Sequence, residues 1–282
     1  MRITILYSGG MDSRILYHYA KTKYPEAEIT AIYWQYGHKA DKFEIEHLPE
    51  FVEVRKLDWL NLPVKGSYLD ITGNGEASYI PGRNLVFAVL SACQELADEI
   101  WLGSLVNENH EHNTDRNWKF QELLTNTLTY VLSPVLPKCK IRTPLAEAGL
   151  DKVTEIEWAL DNGLTKDDLL STWSCYKLND SSGSILPCGK CGQCFRRKII
   201  LGIFGMSEKM QEDPIQNLDT KKWLLSVLED SKRKNWDINS EIMGWFGNDS
   251  RWIIYLQSML NNDNELDKKI IKILNELKEV IR

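Results

Sequence analysis

The chain opens with a short apolar strand, a glycine turn and a helix. Apolar residues dominate positions 3–7, the string SGGMDS follows at 8–13, and a helical pattern runs from Asp12 to about Lys23. A strand that turns through glycines directly into a helix is the start of a strand–helix–strand unit. This opening predicts an α/β fold built on a parallel sheet.

Later segments continue this alternation of strands and helices. Apolar runs bounded by polar residues predict further strands, whereas apolar residues at intervals of three and four predict helices. The resulting fold class is α/β, a parallel sheet with helices on both faces. The predicted strands lie at 29–33, 51–57 and 99–103, and one more ends at Arg142-Thr143-Pro144-Leu145; the predicted helices lie at 84–96, 120–132 and 150–160, with Asp151 as an N-cap.

The SGGMDS string has the composition of a phosphate-binding loop. Its glycines, Gly9 and Gly10, permit positive φ and close approach of an anion to the backbone, and the helix start contributes free N–H groups. The hydroxyls of Ser8 and Ser13 add donors, and Asp12 can hold Mg²⁺. A turn needed only for tight strand-to-helix packing is the alternative. The lysine of a G-x-x-x-x-G-K-[ST] loop is missing, which disfavours γ-phosphate transfer.

Size and charge narrow the class of partner. A chain of 282 residues fits one large domain, or one domain with a helical appendage. A net charge of −6 gives no overall attraction to nucleic acid or to an acidic membrane, and no apolar segment is long enough to span a bilayer. The first residues also lack the apolar core of a secretory signal. We therefore expect a cytoplasmic protein with no membrane or nucleic-acid partner.

Four of the six cysteines have metal-ligand spacing. The C-x₂-C-x₂-C run at 188–194 lets three thiolates converge, and a fourth cysteine upstream can close a tetrahedron. Four thiolates leave no open position for water, so the spacing favours a structural zinc that folds the predicted loop at 170–194. A [4Fe–4S] cluster and redox-active thiols stay open as alternatives. The predicted ligands are Cys175, Cys188, Cys191 and Cys194, whereas Cys93 and Cys139 are predicted to be inert.

A second polar motif stands at the entrance of the helix predicted at 84–96. Arg83 and Asn84 lie there, where contacts with a polyphosphate are geometrically easy, although an N-cap and a surface arginine would look the same. Together with four other motifs, in this order, these residues resemble the 7-cyano-7-deazaguanine synthase (QueC) family of the pyrophosphate-loop ATP pyrophosphatases. The resemblance covers residues 1–205. The other motifs are Gln35-Tyr36-Gly37-His38, Arg142-Thr143-Pro144-Leu145, Asp151-Lys152 and Thr172-Trp173-Ser174-Cys175-Tyr176.

The resemblance implies a fold, a reaction and a set of site residues. The implied fold is a Rossmann-like parallel sheet, that of the adenine nucleotide α-hydrolases, with zinc bound by the cysteines of segment 175–194. In the implied reaction, ATP and Mg²⁺ serve to adenylate 7-carboxy-7-deazaguanine, which ammonia then converts to the amide and the nitrile. The family also suggests a homodimer. ATP contacts are implied for Ser8, Gly9, Gly10, Asp12, Ser13, Arg83 and Asn84, and catalytic roles for Asp12, Ser13 and Lys152.

Two regions depart from the family pattern. The family's aromatic-Pro-Asp-Cys-Arg stretch after the fourth strand is replaced by His112-Asn113-Thr114-Asp115-Arg116. Polar loop positions explain the histidines His38, His110 and His112 better than a second metal site does. Residues 206–282 add a helical extension in which Trp and Leu at helical spacing form a core or receive a protein.

Three other functions fit parts of the pattern. Relatives of this synthase in antiphage operons use the same activation to couple a deazapurine carboxylate to a protein amine, and the altered loop and the extension would suit that role. A tRNA-thiolating enzyme would need a catalytic cysteine pair and an RNA-binding domain. A nucleotide-sensing scaffold would bind ATP without turnover.

Overall fold

One parallel sheet organises the first half of the chain. The computed structural model describes residues 1–37, 41–57, 82–108, 114–175, 186–236 and 241–281. The strands are β1 (Arg2–Leu6), β2 (Glu28–Gln35), β3 (Val52–Lys56), β4 (Glu99–Trp101) and β5 (Lys140–Arg142). Their order is β3-β2-β1-β4-β5, and each neighbouring pair is parallel. The predicted α/β class is confirmed, and β1 is the central strand.

The chain divides into two compact units. The first unit comprises Met1–Ser104 and Asn109–Ala148, and the second comprises Leu105–Glu108 and Gly149–Arg282. The sheet belongs to the first unit. The predicted domains, 1–205 and 206–282, stay a prediction. The helices of the first unit are α1 (Met11–Lys23), α2 (Asp41–Glu46), α3 (Arg83–Glu95), α4 (Trp118–Leu132) and α5 (Pro144–Glu147).

Helices cover both faces of the sheet, as the alternation along β2 requires. Ile32 and Trp34 point to the face that α3 covers, where the Trp34 indole Nε1 donates to Ser91 Oγ at 2.9 Å. The residues between them, Ala31 and Tyr33, belong to a second cluster on the other face. Consecutive side chains of a strand point to opposite faces, and helices cover both faces. The side chains on each face of β2 are therefore buried.

The second unit is helical in its described part. The predicted N-cap Asp151 accepts hydrogen bonds from the backbone N–H groups of Val153 at 3.0 Å and Thr154 at 2.9 Å. The helices of the second unit are α6 (Lys152–Asp161), α7 (Lys166–Leu170), α8 (Gly192–Ile203), α9 (Leu218–Arg233), α10 (Glu241–Phe246), α11 (Arg251–Met259) and α12 (Glu265–Ile281). None of the helices in the described ranges is long and apolar enough to cross a membrane.

The helical extension after residue 206 is present and has its own buried interior. Trp252 is fully buried and stacks on Phe246 with ring centroids 4.7 Å apart. Lys221 of α9 and Asp267 of α12 form a buried ion pair at 2.8 Å, which ties these two helices together. The Trp and Leu positions here therefore include core residues, as the helical spacing predicts.

One boundary was predicted wrongly. The loop predicted at 170–194 ends earlier, because α8 begins at Gly192 and includes Cys194. The Cys191 thiol caps this helix by accepting from the Cys194 backbone N–H at 3.5 Å. A cysteine is not a common N-cap, so the helix start carried no recognisable signal.

Candidate nucleotide site and metal centre

The SGGMDS loop joins β1 to α1 and is closed by its own hydroxyls. Gly9 has φ +77°, a conformation that favours glycine. The Ser13 hydroxyl donates to the Gly10 carbonyl at 2.8 Å, and Ser8 Oγ lies 3.4 Å from Ser13 Oγ. Gly10 is the N-cap of α1 and supplies no side-chain cap. The first amide groups of a helix have no intrahelical acceptor, so this helix start suits an anion.

Two neighbouring segments hold this loop from either side. A Cβ added to Gly103, just after β4, would lie 3.5 Å from the Ser13 nitrogen. A Cβ added to Gly9 would lie 3.4 Å from the Glu44 carbonyl oxygen and 3.5 Å from the Glu44 Cβ. The loop therefore lies between α2 and the end of β4, and a Cβ at either glycine would be in ordinary van der Waals contact with its neighbour.

Arg83 and Asn84 lie at the start of α3. The Arg83 guanidinium donates to the Tyr36 hydroxyl at 3.2 Å, and the Asn84 amide donates to the Asp115 carbonyl at 3.4 Å. The N-cap of α3 is Gly82, so Asn84 is not the cap of this helix. Tyr36 follows β2, and helices of a parallel sheet start near the strands' carboxyl ends. These residues therefore lie at the carboxyl ends of the strands, the same end of the sheet that carries the SGGMDS loop.

The segment that departs from the family pattern is described from Thr114 onward. The Gln121 amide donates to the carbonyl of Arg116 at 3.5 Å and to the Thr143 hydroxyl at 3.0 Å. Asp115 and Arg116 thus lie beside the starts of α3 and α4. His112 and Asn113 lie outside the described residues, as do His38, His110 and Tyr176.

A buried group of two carboxyls and a phenol was missed by sequence reasoning. The Tyr33 hydroxyl lies 2.9 Å from Asp41 Oδ1 and 2.6 Å from Glu44 Oε2. Burial, together with the nearby charge of Asp41, raises the pKa of Glu44 to about 7 against the opposing effects of the Tyr33 hydrogen bond and the Arg83 charge. The available signal was the i, i+3 spacing of the two acids, which places them on one side of a helix.

Lys152 is the first residue of α6 in the second unit. Its ammonium pairs with the Glu155 carboxylate at 2.6 Å, and Glu155 is fully buried. The catalytic role of Lys152 stays a prediction, as do the ATP contacts of the loop residues, Arg83 and Asn84.

The four predicted metal ligands come together. Their sulfur atoms all lie within 4.8 Å of one another, and all four side chains are buried. A tetrahedral ion with metal–sulfur bonds of about 2.3 Å has sulfur–sulfur edges of about 3.8 Å. The Cys194 sulfur lies 3.5 Å from that of Cys191 and 3.8 Å from that of Cys188. The geometry therefore fits a single metal ion in a closed four-thiolate site.

Hydrogen bonds within the cluster lower the pKa of Cys188 and Cys191 and raise the pKa of Cys175 and Cys194. The Lys190 backbone N–H donates to the Cys188 sulfur at 3.3 Å. Hydrogen bonding with Cys175 lowers the pKa of Cys188 to about 7. Thiolates are the form that binds a metal, so Cys188 and Cys191 are the cysteines that these bonds bias toward metal binding.

Arg197 of α8 fastens the segment that carries Cys175. This arginine is buried, and its guanidinium donates to the Thr172 hydroxyl at 2.8 Å and to the Leu170 carbonyl at 3.1 Å. Its Nε also pairs with Glu208 at 2.7 Å. The segment that carries Cys175 is thus held in place by this arginine and its partners, in addition to the contacts among the four cysteines.

Gly189 offers a test of how tightly the cysteine segment is built. It has φ +68°, and an added Cβ would lie 1.8 Å from the Glu212 carbonyl oxygen. We expect Gly189→Ala to lower the free energy of unfolding by about 3 kcal/mol or more, because it combines backbone strain with a backbone clash. Gly149→Ala is the matched control, with φ +74° and open space around the added Cβ. Chemical denaturation that gave equal losses for the two variants would contradict the clash.

The sequence comparisons with known proteins agree on one family. The family model described as "Queuosine biosynthesis protein QueC" matches residues 70–202. A 7-cyano-7-deazaguanine synthase of Methanocaldococcus jannaschii is 29% identical over 233 residues, 73% of this chain and 97% of the relative. That of Prochlorococcus marinus strain MIT 9312 is 32% identical over 219 residues, 68% of this chain and 89% of the relative.

A solved structure gives a weaker likeness. The U34-tRNA thiolase NcsA from Methanococcus maripaludis with its [4Fe-4S] cluster is 11% identical, with a TM-score of 0.34 over 100% of this chain and 74% of that chain. At this TM-score the likeness supports no argument about fold or metal. The sequence relatives, by contrast, confirm the family that the motifs resemble and the prediction of an enzyme. The chain belongs to the 7-cyano-7-deazaguanine synthase (QueC) family.

Proposed function

We propose that this protein adenylates the carboxylate of 7-carboxy-7-deazaguanine with ATP and converts the adenylate with ammonia to the amide and then the nitrile. The observation that carries this proposal is the SGGMDS loop, closed by Ser13 at the free start of α1, in a member of the QueC family. A loop of this kind suits the pyrophosphate part of ATP.

The chemistry proceeds by making oxygen a good leaving group. A carboxylate oxygen attacks the α-phosphorus and pyrophosphate departs, which leaves an acyl-adenylate. Ammonia adds to the acyl carbon, a proton is lost and AMP departs, which gives the amide. The amide oxygen then attacks the α-phosphorus of a second ATP, and pyrophosphate departs again. Departure of AMP with the amide oxygen, and loss of both nitrogen hydrogens as protons, gives the nitrile.

The chain's own residues position the phosphates. Backbone N–H groups at the start of α1 and the hydroxyls of Ser8 and Ser13 are the proposed donors to the pyrophosphate oxygens. Arg83, at the start of α3, is the proposed cation for the phosphate chain. Asp12 would hold Mg²⁺, which neutralises charge on the leaving pyrophosphate. Lys152, oriented by Glu155 at 2.6 Å, is proposed to contact phosphate or substrate.

We propose zinc as the ion of the cysteine cluster. Sulfurs within 4.8 Å of one another suit a single ion, whereas a [4Fe–4S] cluster places four irons and four sulfides between its thiolates. Such a zinc is structural, because four thiolates leave no position for substrate. A cytoplasmic location and a homodimer stay predictions.

Incubation of the protein with ATP, Mg²⁺, ammonium and 7-carboxy-7-deazaguanine tests the proposal. Mass spectrometry is expected to find AMP, pyrophosphate, and the amide or nitrile. Omitting ammonium is expected to stop the reaction at the adenylate. Neither amide nor nitrile, despite AMP formation, would contradict ammonia as the acceptor; a protein amine and a tRNA sulfur are then the acceptors to assay.

A further inference from the structure

The carboxyl–phenol group at Tyr33 has one hydrogen too few for its contacts if both acids are ionised. A phenol carries a single hydrogen, yet the Tyr33 oxygen lies 2.9 Å from Asp41 Oδ1 and 2.6 Å from Glu44 Oε2. Burial raises the pKa of Tyr33 far above its ordinary value, so the phenol keeps its hydrogen. The second contact therefore requires a proton on one of the two carboxyls.

Backbone donors decide which carboxyl holds that proton. Asp41 Oδ2 accepts from the N–H groups of Tyr36 at 3.1 Å and Gly37 at 2.7 Å. Asp41 Oδ2 is thus occupied as the acceptor of two N–H donors, which leaves Asp41 Oδ1 as the acceptor for the Tyr33 hydroxyl. Glu44 is then the protonated acid, which donates to the Tyr33 oxygen while Tyr33 donates to Asp41. The raised pKa of Glu44, about 7, agrees with this assignment.

Glu44 also stands between two parts of the proposed nucleotide site. Its backbone lies beside Gly9 of the SGGMDS loop. A Cβ added to Gly9 would be 3.4 Å from the Glu44 carbonyl oxygen, which is an ordinary van der Waals contact. Its carboxyl interacts electrostatically with Arg83, which itself donates to Tyr36 at 3.2 Å. A change in the charge of Glu44 therefore reaches both the loop and the arginine.

We propose that Glu44 is a positioning residue that works as a neutral acid, and that nucleotide binding is strongest while Glu44 keeps its proton. This inference rests on the proposed use of ATP but not on the identity of the acyl acceptor. The described groups that face the Glu44 carboxyl are Tyr33 of β2, Asp41 of its own helix and Arg83 of α3.

Ionisation of Glu44 is expected to weaken nucleotide binding in two ways. The ionised carboxylate loses its donor to Tyr33, so two anionic acceptors compete for one phenol hydrogen. It also draws Arg83 toward itself and adds negative charge beside the loop proposed to bind phosphates. Since the carboxyl is neutral below its pKa, affinity for an anionic nucleotide is expected to be high at pH 6 and to fall as pH rises through about 7.

Binding of α,β-methylene-ATP in excess Mg²⁺ tests the proposal by calorimetry between pH 6 and 8.5. For the wild type we expect affinity about fivefold lower at pH 8.5 than at pH 6. Glu44→Gln retains a donor to Tyr33 without a charge, so its profile is expected to be flat. Glu44→Ala lacks the donor and is expected to bind more weakly throughout. Glu46→Gln, at an exposed position of the same helix, controls for general charge and is expected to keep the wild-type slope.

The outcomes separate this inference from the proposed function. Equal pH slopes in the wild type and Glu44→Gln would overturn the role of Glu44. Absence of nucleotide binding at every pH would overturn both proposals. A pH slope that Glu44→Gln removes, in a protein that makes neither amide nor nitrile, would support the role of Glu44 and contradict only the proposed reaction.

Discussion

Alanine at Ser13 is expected to lower the rate of AMP formation from ATP about 100- to 1000-fold, the effect of removing one preorganised donor from a transition state. The substitution removes the hydroxyl that donates to the Gly10 carbonyl at 2.8 Å and that lies beside Ser8. The loop would lose its internal closure as well as a proposed phosphate donor. Release of pyrophosphate, followed with a coupled assay, measures the loss.

Two further variants make this result specific. Asp12→Asn keeps the size of the side chain and removes the charge proposed to hold Mg²⁺, so its defect is expected to lessen at higher Mg²⁺ concentration. Lys21→Ala, at an exposed position of the same helix, is expected to retain turnover. Unchanged AMP formation by folded Ser13→Ala would show that the loop is a packing turn.

Serine at Cys188 is expected to empty the cysteine cluster of metal. A hydroxyl is a poor zinc ligand, and metal binding at a structural site is coupled to folding. We expect metal content to fall from about one ion per chain to less than a tenth, and the melting temperature to fall by about 10 °C or more. Metal analysis of the purified protein and thermal unfolding give the two measurements.

Cys93→Ser is the matched control for this prediction. Cys93 is exposed on α3 and is not among the clustered cysteines, so its replacement is expected to leave metal content and melting temperature near those of the wild type. Metal analysis also identifies the element. Iron with acid-labile sulfide would replace zinc as the proposed ion, and a full complement of metal in Cys188→Ser would contradict the cluster as its binding site.

The strands and most of the helices were predictable because local pattern and burial coincide there. In β2, apolar side chains fill both faces of a sheet covered by helices, and the run at 29–33 shows this directly. At Asp151 the capping residue and the helix pattern agree, and the observed capping box follows. The cysteine spacing likewise predicted four sulfurs that meet in space.

What was missed depends on contacts between distant elements. Helix α2 is six residues long, too short for a periodic pattern to stand out, and it carries Glu44. The proton shared around Tyr33 requires a strand, a helix and the turn after β2 to come together, which spacing alone does not reveal. Arg197 was missed for the same reason, since its partners lie up to 28 residues away.

The central place of β1 has a consequence for how the protein is made. On one side it pairs with β2, but on the other its partner is β4, where Ile3 lies opposite Glu99. A ribosome that adds about 5–20 residues per second needs roughly 5–20 s to supply that second partner. Until then the nascent chain carries an apolar strand with an unpaired edge, a known template for aggregation. The yield of folded protein in a host cell is therefore expected to depend on how fast the residues between β1 and β4 are translated, and on the chaperones present during that time.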